Sequence, residues 1–156
     1  MKKMPVLSAG IISILMMLLL LIPSCITFKV DENEAGKIIS LINAGDVEKL
    51  TAITATPFLL DGEIIALPDD AGFLWQNLKE AGFALQNPLL AGLAPVTDET
   101  YKLFSEDWEV SVFFKKYVPK DSKLAEIKTA DGTYLLLLDG NRRGSAQILG
   151  MRGPVQ

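Results

Sequence analysis

The sequence predicts an α+β domain in which N-terminal helices pack on a curved, mainly antiparallel sheet. Beyond residue 32, apolar residues first recur at the spacing of a helix. The last third of the chain instead contains short apolar segments separated by Asp-Gly turns. Helices followed by an antiparallel meander are typical of α+β proteins, and we expect the helices on one face of the sheet. The 156 residues suit a single domain.

Two helices are predicted first. The segment "KIISLI" after Asn33 has apolar residues at helical spacing, and Gly45 ends this helix through a left-handed cap. Asp46 then caps a second helix, "DVEKLTAIT", whose apolar residues share one face. Pro57 ends it, because the residue before a proline is restricted away from helical angles.

A hairpin and a third helix follow. The segment "PFLLDGEIIAL" has two apolar runs around Asp61-Gly62, which predicts a tight β-turn. The third helix begins at one of the two aspartates after Pro68 and ends at Gly82. Residues 83–97, "FALQNPLLAGLAPVT", contain two prolines and a glycine and are too apolar for a free loop. We expect a packed connector there, followed by a brief helix through "ETYKLFS".

The last third predicts a four-stranded antiparallel meander. In "DWEVSVFFKKYV" apolar residues recur at every second position, which is the pattern of a half-buried strand. "KLAEIKTA", "TYLLLL" and "RRGSAQILGM" are the next three strands. Asp131-Gly132 and Asp139-Gly140-Asn141 are expected to form the two tight turns between them.

Composition and charge exclude several functions. Lys2 and Lys3 account for two of the 15 basic residues, so the chain beyond residue 24 has 13 basic against 19 acidic residues, a net charge of about −6. Nucleic acid is therefore not expected as a partner. The chain has no histidine, which excludes a Ser-His-Asp triad and a histidine zinc site. Its glycines are dispersed and "DGNRRG" lacks the acid spacing of a calcium loop, so we expect no cofactor and no metal.

The N-terminus has the layout of a secretory signal peptide. Lys2 and Lys3 precede an apolar run over residues 6–22, and Pro23-Ser24 follows it. We therefore expect residues 1–24 to be a signal peptide. The only cysteine of the chain, Cys25, comes directly after this segment, so no internal disulfide can form.

This junction resembles the lipobox of bacterial lipoproteins. Ile22 and Ser24 match the aliphatic and small positions before the cysteine, whereas Pro23 departs from the usual small or β-branched residue. The resemblance implies that the chain is cut before Cys25 and that its sulfur carries diacylglycerol. Two or three acyl chains give stable membrane attachment, at roughly 0.8 kcal/mol per buried methylene. The alternatives are an uncleaved anchor helix and a cleaved signal followed by a free cysteine.

The lipoprotein interpretation sets the domain organisation and the location. Residues 25–32 form the lipidated N-terminus and tether, and residues 33–156 form a single α+β domain. The domain is then held at a membrane of the bacterial cell envelope and faces the periplasm or the exterior. The residue after Cys25 is Ile26, not the aspartate that marks inner-membrane retention in many Gram-negative relatives, which favours the outer membrane.

Beyond the tether, the order of elements resembles the nuclear transport factor two-like, or ketosteroid-isomerase-like, cone. Many members have a first helix ending in "aGD", as in "INAGDVEKLTAI" here, and a last strand that "SAQILGM" matches at Ile148, Gly150 and Met151 without its tryptophan. The resemblance implies a pocket at the open end of the cone, although a cystatin-like or other helix-on-sheet fold stays open. Five aromatic residues are candidates to line that pocket, with packing in the core as the alternative: Trp75, Tyr101, Trp108, Phe114 and Tyr134.

Three functions are consistent with these features. The first is a non-catalytic envelope protein that binds a small ligand or a partner protein. The second is an isomerase- or dehydratase-like enzyme with a carboxylate–tyrosine pair; Asp61, Asp107 and Asp139 are acids near turns or strand ends, and none matches a catalytic position of the family. The third is an assembly role through an exposed apolar face. Arg142 and Arg143 could hold an anion, or be solvated residues beside a turn.

Overall fold

The computed structural model describes residues 30–140 and 146–155. The predicted signal peptide, Cys25, Arg142 and Arg143 lie outside these residues. The helices are α1 (Glu32–Ala44), α2 (Val47–Ile53), α3 (Pro68–Glu80), a short 3-10 helix (Thr100–Leu103) and α4 (Trp108–Tyr117). The strands are β1 (Thr54–Leu60), β2 (Glu63–Ile65), β3 (Leu89–Pro95), β4 (Lys123–Thr129), β5 (Gly132–Gly140) and β6 (Ala146–Val155).

The strands of the described residues form one curved, unclosed sheet in the order β2-β1-β6-β5-β4-β3. The pair β1–β6 is parallel and the other four pairs are antiparallel. The predicted α+β class with a mainly antiparallel sheet is therefore confirmed. The final strand comes back to the centre of the sheet, where it joins the first hairpin to the C-terminal meander.

The predicted turn and cap residues of the N-terminal half occupy the expected places. Gly45 ends α1 in the left-handed region at φ 59°, and Asp46 caps α2 by accepting a hydrogen bond from the backbone N–H of Lys49. Asp61 and Gly62 form the β1–β2 turn with φ of 50° and 100°, as a tight hairpin requires. The helical pair and the hairpin are confirmed, but the prediction that Pro57 ends α2 is wrong: α2 ends at Ile53, and Pro57 lies in β1, which begins at Thr54.

Residues 108–117 form a helix, so the strand predicted there is wrong. Val110, Phe113 and Phe114 are its buried residues, and their spacing of three and four is helical. The apparent alternation arises because exposed Trp108 and partly buried Val112, two residues before and after Val110, are also apolar. Glu109 in the first turn and two lysines in the last turn also suit the helix dipole. The meander therefore has three strands, β4 to β6. The turn predicted at Asp139-Gly140 is also wrong, because both residues continue β5 and pair with Gln147 and Ala146 of β6; Asn141 lies outside the described residues.

The segment 83–97 contains strand β3 where only a packed connector was expected. β3 pairs with β4 at the edge of the sheet, and the register shifts between Leu90 and Gly92. Pro88 precedes the strand and Pro95 ends it, which are positions that an edge strand tolerates. Prolines and a bulge also limit pairing with other chains.

Helices cover both faces of the sheet. The face covered by α1, α2 and α3, here called the three-helix face, holds seventeen of the described buried apolar side chains, among them Ile38, Trp75 and Leu136. The opposite face, covered by the 3-10 helix and α4 and here called the α4 face, holds nine. The expectation of helices on one face thus misses this second layer. The second layer explains the unbroken run "TYLLLL", because a strand buried on both faces needs apolar residues at every position.

Candidate functional site

A groove on the α4 face is the candidate site. It has a volume of about 720 Å³ and runs between α4 and the segment that joins β3 to the 3-10 helix. We call it the α4 groove. The residues that line it are Val96, Thr97, Asp98, Glu99, Tyr101, Ser111, Phe114, Lys115, Val118, Pro119 and Lys120.

One wall of the α4 groove is a stripe along α4 and the residues after it. Ser111, Lys115 and Val118 follow one another at steps of four and three, so they share one side of the helix. The chain leaves α4 through Pro119 and Lys120, which close this end of the groove. This wall exists only because residues 108–117 are helical, so the predicted strand gives no indication of it.

The opposite wall is a turn that its own side chains hold in shape. The backbone N–H of Thr97 donates to Thr100 Oγ1 at 2.8 Å, and Thr100 is buried. The backbone N–H of Val96 donates to the carbonyl oxygen of Ser122 at 3.1 Å. Ser122 is fully buried, and its hydroxyl donates to Asp139 Oδ1 at 3.2 Å. The wall is thereby attached to β5.

The floor of the α4 groove is aromatic. The rings of Tyr101 and Phe114 meet edge to face with centroids 6.5 Å apart, and Phe114 also contacts Phe104 at 5.6 Å. Phe114 is 8% exposed and lines the groove. Apolar floors with a few polar groups at the rim are typical of ligand sites.

The rim of the α4 groove carries opposite charges on its two sides. Asp98 and Glu99 lie on the turn, whereas Lys115 and Lys120 lie on the α4 side. Glu99 is paired with Lys102 on the 3-10 helix, and this pairing raises the pKa of Lys102. Within the described residues, no salt bridge joins the acidic side of the rim to the basic side.

The structure places the five predicted pocket residues in three different environments. Tyr101 and Phe114 line the α4 groove. Trp75 and Tyr134 are buried in the core of the three-helix face. Trp108 is 77% exposed at the first turn of α4. These residues therefore do not meet around one pocket.

Trp75 and Tyr134 belong to the packing of the three-helix face. The Trp75 indole N–H donates to Thr54 Oγ1 at 2.8 Å, and the Thr54 hydroxyl donates to the Leu50 carbonyl at 2.7 Å. Tyr134 meets Phe83 edge to face at 5.8 Å. Both side chains are therefore part of the core of the three-helix face and line no described groove.

The acids considered for a carboxylate–tyrosine pair serve the backbone or a serine. Asp61 Oδ1 accepts the backbone N–H of Gly153 at 2.9 Å, and Asp107 Oδ2 accepts the hydroxyl of Ser105 at 2.5 Å. Burial raises the pKa of Asp139, and the hydrogen bond from Ser122 opposes that effect. Burial also raises the pKa of Tyr134. No hydrogen bond in the described part of the chain joins a tyrosine hydroxyl to a carboxylate.

A second depression, of about 740 Å³, runs along α1 and is lined by Glu32, Asn33, Gly36, Lys37, Ser40 and Leu41. All six residues belong to a single helix, so the depression has no opposing wall that could enclose a ligand. The α4 groove has walls from two segments and an aromatic floor. We therefore regard the α4 groove as the better candidate.

No protein-family model matches the chain, and none of the curated proteins matches it significantly. Across residues 30–140 and 146–155, no helix is long and apolar enough to cross a membrane. The same residues contain no cluster of three or more acidic or cysteine side chains placed to hold a metal ion.

Proposed function

We propose that this chain is a non-catalytic lipoprotein of the bacterial cell envelope that binds a small ligand in the α4 groove. In this proposal Cys25 carries the lipid and residues 1–24 are removed. The favoured location is the outer membrane, because Ile26 and not aspartate follows Cys25. The domain faces the periplasm or the exterior.

The observation that carries the proposal is the position of the groove relative to the attachment point. Val30, the first described residue, packs in the core of the three-helix face. Five peptide links separate it from Cys25, so the tether can extend no further than about 18 Å. The α4 groove lies on the other face of the sheet. A short tether on one face leaves the groove on the opposite face accessible to solutes.

We also propose that the domain is related to the nuclear transport factor two-like cones. Support comes from α1 ending at Gly45-Asp46, from the hairpin that follows α2, and from Ile148, Gly150 and Met151 in the last strand. The 3-10 helix and α4, which cover the α4 face, are additional to the elements that the resemblance implies. Because Trp75 and Tyr134 pack in the core between α1–α3 and the sheet, binding on the α4 face fits the structure better than a pocket inside the cone.

Mass spectrometry of the mature protein purified from bacterial membranes tests the anchor. We expect the N-terminal peptide to begin at Cys25 with the added mass of two or three acyl chains. The Cys25→Ala variant should keep its fold, because residue 25 precedes the described domain, and should leave the membrane fraction or retain its signal peptide. A mature protein that begins at Met1, or that carries a free thiol at Cys25, would contradict the proposal.

A further inference from the structure

We infer that the ligand of the α4 groove is a short peptide whose amino and carboxyl termini are both free and charged. This inference deepens the proposed function and rests on the groove being a binding site. Three features of the groove carry it: the opposite charges of its rim, its apolar floor, and the absence of an ion pair across it.

The rim selects for a ligand that carries both charges. Asp98 and Glu99 offer acceptors for an ammonium group, and Lys115 and Lys120 offer donors for a carboxylate. A simple anion or a simple cation would be attracted by one side of the rim and repelled by the other. A neutral sugar would gain nothing from either side. A zwitterion that spans the groove gains from both.

The two sides of the rim form no direct ion pair with each other. In the described part of the chain, no carboxylate oxygen on the acidic side lies within 4.0 Å of a lysine nitrogen on the basic side. Of the two acids on the rim, Glu99 is paired with Lys102, whereas Asp98 forms no salt bridge with the described residues. A dipeptide separates its two charges and can therefore reach both sides.

The floor selects for apolar side chains. Phe114, Tyr101, Val96 and Val118 present carbon surface between the two charged sides. Burial of apolar surface supplies most of the affinity, because exposed ion pairs contribute little and salt screens them. The charges at the rim then fix the direction of the peptide, with its amino terminus at Asp98 and its carboxyl terminus at Lys115.

The test uses the lipidated full-length mature protein in detergent micelles, observed by amide chemical shifts during titration with three peptides. The peptides are Leu-Phe, its N-acetyl derivative and its C-terminal amide. Leu-Phe should shift amides of residues 96–101, 111–118 and 120. Each blocked derivative should bind about two- to fivefold more weakly, which is the scale of one exposed ion pair.

Charge variants assign each terminus to one side of the rim. In Lys115→Met the preference for the free peptide over its amide should shrink to the part that Lys120 contributes, while acetylation still weakens binding. In Asp98→Asn acetylation should weaken binding less than it does in the wild type, while the C-terminal amide still binds more weakly than the free peptide. Lys116→Met is the matched control, since Lys116 lies over the ring of Tyr117, with its nitrogen 4.9 Å from the centroid, and does not line the groove. This control should bind all three peptides like the wild type.

Three results would overturn the inference. Equal binding of all three peptides would remove the role of the termini. Equal effects of Lys115→Met and Lys116→Met would indicate nonspecific charge attraction. If no peptide shifts the amides of the groove, a peptide ligand is excluded. Whether Cys25 carries a lipid is decided separately, by the mass of the N-terminal peptide.

Discussion

The two faces of the sheet differ in how completely they are filled. The three-helix face contains Trp75, which is 2% exposed and hydrogen-bonded to Thr54. The α4 face has about half as many buried apolar side chains among the described residues and leaves a groove beside α4. The comparison shows a division of roles: one face supplies the stability of the domain, and the other has the free surface that a binding site requires.

The two tryptophans of the chain provide the largest expected contrast between the faces. Trp75→Ala removes a fully packed side chain and the hydrogen bond to Thr54, and should lower the free energy of unfolding by about 3–5 kcal/mol. Trp108→Ala is the matched control because Trp108 is 77% exposed, and it should change stability by no more than about 0.5 kcal/mol. Urea unfolding of both variants measures the difference, and similar losses would contradict the assignment of Trp75 to the core.

A pair of glycines gives the next contrast. A Cβ at Gly150 would lie 2.9 Å from the Leu59 carbonyl oxygen and 3.1 Å from its Cβ, where β1 and β6 meet. Gly150→Ala should therefore cost about 1–3 kcal/mol through overpacking. A Cβ at Gly92 in edge strand β3 would meet nothing within 4 Å, so Gly92→Ala should be neutral or slightly stabilising. Thermal unfolding compares the two, and a neutral Gly150→Ala would refute the close β1–β6 approach.

The attachment of the α4 layer to the sheet depends in part on Arg152. Its Nη1 donates to the carbonyl oxygen of Leu103, and to that of Phe104 at 2.7 Å, so β6 holds the end of the 3-10 helix. Arg152→Met keeps the aliphatic stem and removes these donors. We expect a loss of about 1–2 kcal/mol, since water can replace part of each bond. Limited proteolysis should detect cleavage near residues 103–107 before cleavage of α1; simultaneous cleavage would contradict a separate α4 layer.

Substitution of Asp139 should have the smallest effect on stability, and this effect should depend on pH. The pKa of Asp139 is raised in the folded protein by burial, so the folded state favours the protonated acid, and stability falls as the pH rises through that pKa. Asp139→Asn keeps the acceptor for Ser122 and removes the buried charge. The variant should be more stable than the wild type at pH 7 by less than about 1 kcal/mol, because the carboxyl is only partly buried.

Measurements at low pH are the control for this prediction about Asp139. The advantage of Asp139→Asn should shrink as the pH falls and disappear below the ordinary aspartate pKa of 3.8. Chemical unfolding at several pH values measures this course. An advantage that does not change with pH would assign it to packing and not to ionisation.

The sequence predicted most of the three-helix face because local signals decide it. Gly45, Asp46 and Asp61-Gly62 each act on their own neighbours, and the structure shows all of them in the predicted roles. The apolar run of β5 was also predicted as a strand, although the reason for its uniform character became clear only from the second layer of helices.

The α4 face was predicted less well because its signals conflict. The segment "WEVSVFFKKY" fits both a two-residue and a helical period, and the packing of Phe113 and Phe114 against the sheet selects the helix. Strand β3 depends on pairing with β4, which is remote in the chain. Of the predicted pocket residues, Tyr101 and Phe114 reach the α4 groove, whereas the lysines of its rim become apparent only once residues 111–118 are helical.

Native-state hydrogen exchange of the mature protein tests most directly whether the two faces are separate in stability. The smaller core of the α4 face predicts that amides of residues 111–118 exchange through a local opening of lower free energy than the amides of α1 and β5. The amides of β5 should exchange only with global unfolding. Exchange of α4, α1 and β5 at one common free energy would show a single cooperative unit and contradict the division between the two faces.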